Sequence, residues 1–230
     1  LVIPEINADA LAAHQGLIAN PNCSTIITLM GLAPLHRRVP IRRVTAVTFQ
    51  SVSGTGRAAI DELDRQAHEW ADGRAPTREV YPRQIAFNVL PQIGGLKAEL
   101  PGFTSEEAKL LFESRKILGA PGLRVAATCV RVPVFYAHSV ALHIEFSAPL
   151  SPEEAREILA NAPGVRVRDD LANAEFPTPL DVQHGDEVQV GRVRADPSVE
   201  NGLALWVVGD NIRKGAAQNA VQIAEEMIRR

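Results

Sequence analysis

The sequence has 230 residues, of which 46% are hydrophobic and 22% charged, and 24 Lys and Arg against 27 Asp and Glu leave a net charge of −3. These values are ordinary for a folded protein and exclude intrinsic disorder, a collagen-like repeat and a disulfide scaffold. The near-neutral charge gives no reason to expect nucleic acid or a membrane as partner, and no apolar run reaches the roughly 20 residues of a membrane span. The two cysteines, Cys23 and Cys129, fit a reducing compartment, so a cytoplasmic location is expected.

Turn signals and hydrophobic periodicity predict the elements in chain order. Helices are predicted over 23–35, 58–70, 104–118, from Ser151 to near Gly164, and over 212–228. Strands are predicted over 41–51, 123–134, 139–146, 165–168, 188–193 and 203–208, with a loop over 70–82. Because strands and helices mix without strict βαβ alternation, we expect an α+β fold with a mixed, mostly antiparallel sheet and helices packed on it.

Cys23 is the first candidate for a reactive residue, since it follows the turn Pro21-Asn22 and precedes an apolar helix. Unpaired N–H groups at a helix N-terminus favour a thiolate, which predicts a lowered cysteine pKa, and they could also hold an oxyanion. A buried structural cysteine is the alternative, and position alone does not decide between the two. Cys129, inside a predicted strand, is interpreted as a core residue.

Arg131 and His138 form a second candidate group. An arginine in an apolar strand must be paired or face a site, and its guanidinium binds carboxylates through two parallel hydrogen bonds, which indicates a carboxylate-bearing substrate. His138 lies seven residues further on and could act as general acid/base for Cys23, although a histidine before a strand is more often a surface or capping residue. Gln50, at the end of a predicted strand, could bind substrate or be solvated.

Two further patterns are weak. Glu106 and Lys109 are three apart on a predicted helix, a spacing typical of surface ion pairs. The five histidines other than His138 lack metal-ligand spacing, so no metal site is predicted. Gly54-Thr55-Gly56 has no third glycine at the required place, so no complete dinucleotide-binding domain is expected in these residues.

Four short segments carry more information together than any one of them alone. They are 20–25 (NPNCST), 48–54 (TFQSVSG), 129–134 (CVRVPV) with His138-Ser139, and 210–217 (DNIRKGAA). In this order they resemble the catalytic and dimerisation domain of aspartate-β-semialdehyde dehydrogenases, a fold shared with the C-terminal domain of glyceraldehyde-3-phosphate dehydrogenase. The resemblance extends across almost the whole chain.

The resemblance implies NADP-dependent reductive dephosphorylation of aspartyl-4-phosphate to aspartate-4-semialdehyde, on the way to lysine or diaminopimelate, threonine and methionine. The implied catalytic residues are Cys23, the nucleophile that carries a thioester, His138, the acid/base, and Gln50, which orients the acyl intermediate. The implied substrate ligands are Arg131 for the α-carboxylate, Glu106 for the amino group and Lys109 for phosphate. The implied contacts to the nicotinamide side of NADP are Ser53, Gly54 and Asn211.

The resemblance also implies a homodimer and a division of the chain. Residues 1–210 would form the catalytic and dimerisation domain, and 211–230 a C-terminal helix packing against an N-terminal NADP-binding domain that is absent here. We therefore expect this chain to fold and dimerise but to turn over poorly alone, with the apolar face of that helix exposed or covered by a partner. Ala137 and Val140 stand where the family commonly has glycine and glutamate, and an alanine costs little unless its φ must be positive.

Two alternative functions remain open. One is a related reductase, of the N-acetylglutamyl-phosphate or malonyl-CoA type. Asn22 and Arg131 favour an aspartyl substrate over the first and discriminate poorly against the second. The other is a non-catalytic paralogue used for assembly, against which the presence of Arg131 and His138 argues.

Overall fold

The computed structural model describes all 230 residues, Leu1–Arg230. The helices are α1 (Pro4–Asn7), α2 (Cys23–Arg38), α3 (Arg57–Ala71), α4 (Ser105–Ile117), α5 (Pro152–Ala160), α6 (Pro179–Val182) and α7 (Gln218–Arg229). The strands are β1 (Ile41–Gln50), β2 (Arg124–Arg131), β3 (His138–Phe146), β4 (Val165–Val167), β5 (Val188–Ala195) and β6 (Gly202–Gly209). Every strand predicted from the sequence is present. No helix combines the length and the apolar character that crossing a bilayer requires.

The six strands form one sheet in the order β2-β1-β3-β6-β5-β4. The two outer pairs, β1 with β2 and β4 with β5, are parallel, and the three inner pairs are antiparallel. The predicted mixed, mostly antiparallel α+β fold is therefore confirmed.

Helix α2 lies against one face of this sheet and is buried on nearly every side, which explains why its sequence is apolar without a polar stripe. It belongs to a core of 27 buried residues that also includes side chains of β1, β3, β5, β6, α4 and α5. Gly31 permits the close approach, because a methyl group there would lie 2.9 Å from Val207 Cγ2 of β6. The N-terminus of α2 is thereby fixed relative to one edge of the sheet.

The C-terminal segment differs from the continuous helix predicted over 212–228. Arg213–Ala217 forms a π-helix, with Gly215 N–H donating to the Asp210 carbonyl at 2.9 Å, and α7 follows it. In α7 only Ile223 of the apolar side chains is buried, against Val2 and Leu11. Several others are exposed: Val221, Met227 and Ile228. Whether a further domain covers them, as the division at 210 and 211 predicts, stays a prediction.

Candidate active site

The sheet topology brings the predicted site residues together at one end of the neighbouring strands β2, β1, β3 and β6. Gln50 ends β1 and Arg131 ends the parallel strand β2, and the two residues are register partners. His138 begins the antiparallel strand β3 opposite Gly209, the last residue of β6, so that Asn211 follows at the same edge. Cys23 joins them as the first residue of α2.

Cys23 and His138 are in contact, with Sγ 3.4 Å from Nε2. Asn22 places the cysteine at the helix start, because its Oδ1 accepts hydrogen bonds from the N–H groups of Ser24 and Thr25 at 3.0 and 3.2 Å. The predicted helix start is confirmed. A methyl group at Gly215 would lie 3.1 Å from Cys23 Cβ, so the π-helix packs closely against the cysteine.

The electrostatics of Cys23 differ from the sequence prediction of a lowered pKa. Burial raises the pKa of the Cys23 thiol to about 11, and the nearby carboxylate of Glu106 raises it further, while Ser24 and Arg131 act in the opposite direction. Loss of solvation outweighs the helix N-terminus here. Burial raises the pKa of Cys129 to about 12, and its side chain is inaccessible, which agrees with its interpretation as a core residue.

Glu106, on α4, links the start of α2 to the end of β1 through hydrogen bonds. Its Oε1 accepts hydrogen bonds from Asn22 Nδ2 at 2.9 Å and from Gln50 Nε2 at 3.3 Å. Lys109 Nζ lies 3.9 Å from Glu106 Oε2, with its side chain 53% exposed. The pair is not the simple surface pair that its spacing suggests, because the glutamate is buried within the site and only the lysine faces solvent.

Arg131 is buried beside the glycine-rich turn after β1. Its Nη1 donates to the Ser51 carbonyl at 2.7 Å, whereas its buried Nε has no hydrogen-bond partner in the protein. A methyl group at Gly54 would lie 2.9 Å from Arg131 Nη1 and 3.2 Å from His138 Nε2. Gly54 therefore keeps open the space in front of both side chains, and the unpartnered Nε is a donor that fits a carboxylate.

A buried network surrounds the other side of His138. Asn211 Oδ1 accepts from Ser51 Oγ and Ser53 Oγ, each at 3.1 Å, and from Ala137 N–H at 3.0 Å. Ala137 has a φ of 67°, a left-handed conformation. The condition under which alanine is costly at this position is therefore met.

Three residues of the site were not assigned a role from the sequence. Ser51 contacts His138 Nδ1 through both its N–H, at 3.1 Å, and its hydroxyl, at 3.0 Å. Glu113 Oε2 accepts from Asn22 N–H at 2.9 Å, and Asn22 itself links the two carboxylates. The position of Glu113, two helical turns after Glu106, is the one signal that could have found it.

The thiol of Cys23 contacts a histidine whose ring is itself held by neighbouring polar groups. This arrangement is typical of enzymes that use a cysteine nucleophile. No group of three or more His, Cys, Asp or Glu side chains is placed to hold a metal ion.

Comparison with known proteins agrees with this class. Residues 32–214 match the family model described as "Semialdehyde dehydrogenase, dimerisation domain". The aspartate-semialdehyde dehydrogenases of Aquifex aeolicus and Synechocystis sp. are 49% and 46% identical to this chain over its whole length, which spans 68% of each. The crystal structure of aspartate semialdehyde dehydrogenase II from Vibrio cholerae, complexed with ASA, is 45% identical with a TM-score of 0.95, over 99% of this chain and 67% of that one. The chain belongs to the aspartate-semialdehyde dehydrogenase family.

Proposed function

We propose that this chain carries the catalytic part of an enzyme that converts aspartyl-4-phosphate to aspartate-4-semialdehyde with NADPH, in the biosynthesis of lysine or diaminopimelate, threonine and methionine. The observation that carries the proposal is the 3.4 Å contact between Cys23 Sγ and His138 Nε2 at the start of α2. The names of the relatives support the substrate class. Two free cysteines support a cytoplasmic location.

In the proposed reaction, His138 takes the proton of the Cys23 thiol, the sulfur attacks the acyl-phosphate carbon, the C–S bond forms, the C–O bond to phosphate breaks, and inorganic phosphate leaves. The product is a thioester on Cys23. Gln50 orients this acyl group, and His138 is the acid/base for the sulfur. Arg131 holds the substrate α-carboxylate, for which its unpartnered Nε supports the assignment.

The remaining substrate contacts come from α4. Glu106 meets the substrate amino group and Lys109 the phosphate, an arrangement supported by their adjacent positions beside Gln50. Because Glu106 also raises the pKa of Cys23, a substrate ammonium group bound to this carboxylate would weaken that effect. Substrate binding and thiolate formation are therefore expected to favour each other.

The residues at this edge fit the nicotinamide side of NADP. Gly54 leaves an open space in front of His138, where a side chain would intrude. Ser53 and Asn211 border the same turn and hold its shape through their hydrogen bond of 3.1 Å. NADPH, when bound, supplies the hydride that reduces the thioester, after which the C–S bond breaks and the semialdehyde leaves.

The first half-reaction tests this proposal without NADP. On mixing with aspartyl-4-phosphate, the chain should release phosphate in proportion to protein and gain an acyl group on Cys23, detected by peptide mass spectrometry. Cys23→Ser is the matched loss-of-function variant, and Cys129→Ser the control that should retain the reaction. N-acetylglutamyl phosphate and malonyl-CoA, run in parallel, distinguish the two related reductases. Absence of acylation with all three substrates would contradict a catalytic role, and steady NADPH oxidation by this chain alone would contradict its dependence on a further domain.

We further propose a homodimer formed through the sheet face that the helices leave open. The matched family model is a dimerisation domain, and this face carries the half-buried pair Phe49 and Trp206, whose rings lie 5.5 Å apart. Light scattering should give twice the chain mass. Trp206→Glu should give the monomer mass, while a charge on the exposed Leu17 should not.

A further inference from the structure

Glu107 is a buried carboxylate whose two hydrogen-bond donors are both main-chain N–H groups. Its Oε2 accepts from Thr104 N–H at 2.8 Å, which is part of the capping box at the start of α4. Its Oε1 accepts from Cys129 N–H, in β2, at 3.1 Å. Glu107 is only 7% exposed. Because a buried carboxylate is costly unless its oxygens are hydrogen-bonded, both bonds contribute to holding the charge at this position.

A capping box alone does not explain this arrangement. Glu154, on α5, forms the same kind of box with Ser151, but Glu154 is exposed and accepts no hydrogen bond from outside its box. Glu107 differs because it also reaches a second element of the fold. Its bond to Cys129 is the one side-chain hydrogen bond that joins α4 to β2.

The edge position of β2 explains why this bond forms. β2 pairs with β1 alone, and on its other side Arg131 pairs with Leu90 in an isolated bridge. The N–H of Cys129 on that side needs an acceptor from outside the sheet. Glu107 supplies the acceptor, and it thereby holds α4 against β2 two residues before Arg131.

The two elements that Glu107 joins carry different ligands of the proposed substrate. Glu106, its neighbour on α4, would meet the amino group, and Arg131, at the end of β2, would hold the carboxylate. An α-amino acid bears both groups on one carbon, so the two ligands must keep a fixed separation. The hydrogen bonds of Glu106 itself lead to Asn22 and Gln50, at the start of α2 and the end of β1, and they do not reach β2.

We propose that Glu107 is a positioning residue that sets the separation of Glu106 from Arg131, and so favours a substrate with an amino group beside its carboxylate. The inference rests on the proposed function for the identity of the substrate. The bond from Glu107 to Cys129 is a property of the protein alone, and it can be tested without substrate.

Amide hydrogen exchange tests the bond. The chain has two cysteines, so a protein labelled with ¹⁵N-cysteine has two amide resonances, and Cys129→Ser assigns one of them by its disappearance. Glu107→Met keeps most of the side-chain volume but accepts neither hydrogen bond, and it should speed exchange at Cys129 about tenfold or more. Glu154→Met, the matched capping-box control, should leave exchange at Cys129 unchanged. Free exchange of this amide in the unsubstituted protein would overturn the proposal.

The ratio of Cys23 acylation rates with two acyl phosphates tests the effect on specificity. Aspartyl-4-phosphate is compared with succinyl phosphate, which lacks the amino group. We expect Glu107→Met to lower the preference for the aspartyl compound about tenfold, towards the value of Glu106→Ala, because the ligands lose their fixed separation. A general loss of stability would slow both reactions alike and leave the ratio unchanged, as in Glu154→Met.

Glu107→Gln keeps the test decisive if Glu107→Met does not fold. Glutamine has one acceptor oxygen for two N–H groups, and exchange at Cys129 shows which of them retains it. The preference should fall only in variants whose Cys129 amide is deprotected. An unchanged preference in a folded variant with that amide deprotected would overturn the inference. Absence of acylation with both compounds in the unsubstituted protein would instead contradict the proposed function, so the two failures are distinguishable.

Discussion

The buried ion pair between Lys214 and Glu5 joins the two ends of the chain, and its loss should be strongly destabilising. Lys214 Nζ donates to Glu5 Oε2 at 2.6 Å, to Asn219 Oδ1 at 2.9 Å and to Gln222 Oε1 at 2.7 Å. The two charged side chains are 1% and 12% exposed. Removing one partner of such a pair leaves an uncompensated charge and costs about 3–5 kcal/mol. Because Glu5 keeps a hydrogen bond from Gln222 and slight exposure, we expect Lys214→Met to lower the free energy of unfolding by about 3 kcal/mol.

Equilibrium unfolding in urea measures this change, provided that the dependence on denaturant keeps its slope. Glu5→Gln and the double variant complete a mutant cycle. Because the double variant contains no unpaired charge, it should be more stable than Lys214→Met by about 1 kcal/mol or more. The solvated pair Arg57 and Asp61 is the control, and Arg57→Met should change stability by less than about 0.5 kcal/mol. A loss below about 1 kcal/mol for Lys214→Met would refute the reasoning, since burial would then carry no penalty for the unpaired carboxylate.

Three further outcomes follow from the site. Gly54→Ala places a methyl group 2.9 Å from Arg131 Nη1 and 3.2 Å from His138 Nε2, and should slow Cys23 acylation about 10- to 100-fold, whereas an unchanged rate would mean that this space is unused. Ala137→Gly relieves about 1–2 kcal/mol of left-handed strain, but loses about 0.8 kcal/mol of buried methyl and about 0.5–1 kcal/mol of backbone entropy. In urea unfolding, the free energy of unfolding of Ala137→Gly should therefore change by no more than about 1 kcal/mol. The control Ala59→Gly, within helix α3, should lower the free energy of unfolding by more than about 1 kcal/mol. Since the pKa of His138 is about 3 in the folded chain against an ordinary 6.5, the unfolded chain alone binds this proton between those values, and stability should fall as the pH drops through that window. His138→Gln should flatten that part of the curve, and an identical slope would contradict the buried neutral ring.

Helix starts were predicted well because they depend on neighbouring residues. Asn22, in the predicted turn just before the segment 23–35, caps α2, and Thr104, the first residue of the predicted segment 104–118, forms a capping box with Glu107 at the start of α4. The order of the strands was not predicted. Parallel pairing of β1 with β2 joins segments separated by α3, a long loop and α4, and no local pattern specifies such a contact. The π-helix was also missed, and the packing of its Gly215 against Cys23 is a contact between residues far apart in the chain.

The site was predicted in part. Cys23, Gln50, Arg131, His138 and Glu106 were named from motifs, and they do converge. Their pKa values could not be predicted in the same way. A helix N-terminus is visible in sequence, but the desolvation that overrides it at the cysteine comes from elements that only the fold brings near.

The main-chain contacts of Ser51 show a further limit of sequence reasoning. One of the two Ser51 contacts to the ring of His138 comes from the main chain, and this N–H would be present for almost any residue type. Positioning by backbone therefore leaves no residue signature, and it becomes visible only when the peptide group is placed between Arg131 and His138.

The Lys214–Glu5 ion pair lies next to the segment that packs against Cys23. Lys214 precedes Gly215 in the π-helix, and a methyl group at Gly215 would lie 3.1 Å from Cys23 Cβ. The Lys214–Glu5 pair thus anchors the segment that packs against the nucleophile. A hydrophobic replacement of both charges could retain the stability, because apolar side chains of similar volume often pack as well as a buried pair. It would still lose the directional bonds to Asn219 and Gln222 that set the position of the π-helix, so geometry at Cys23 is the property for which this pair is needed.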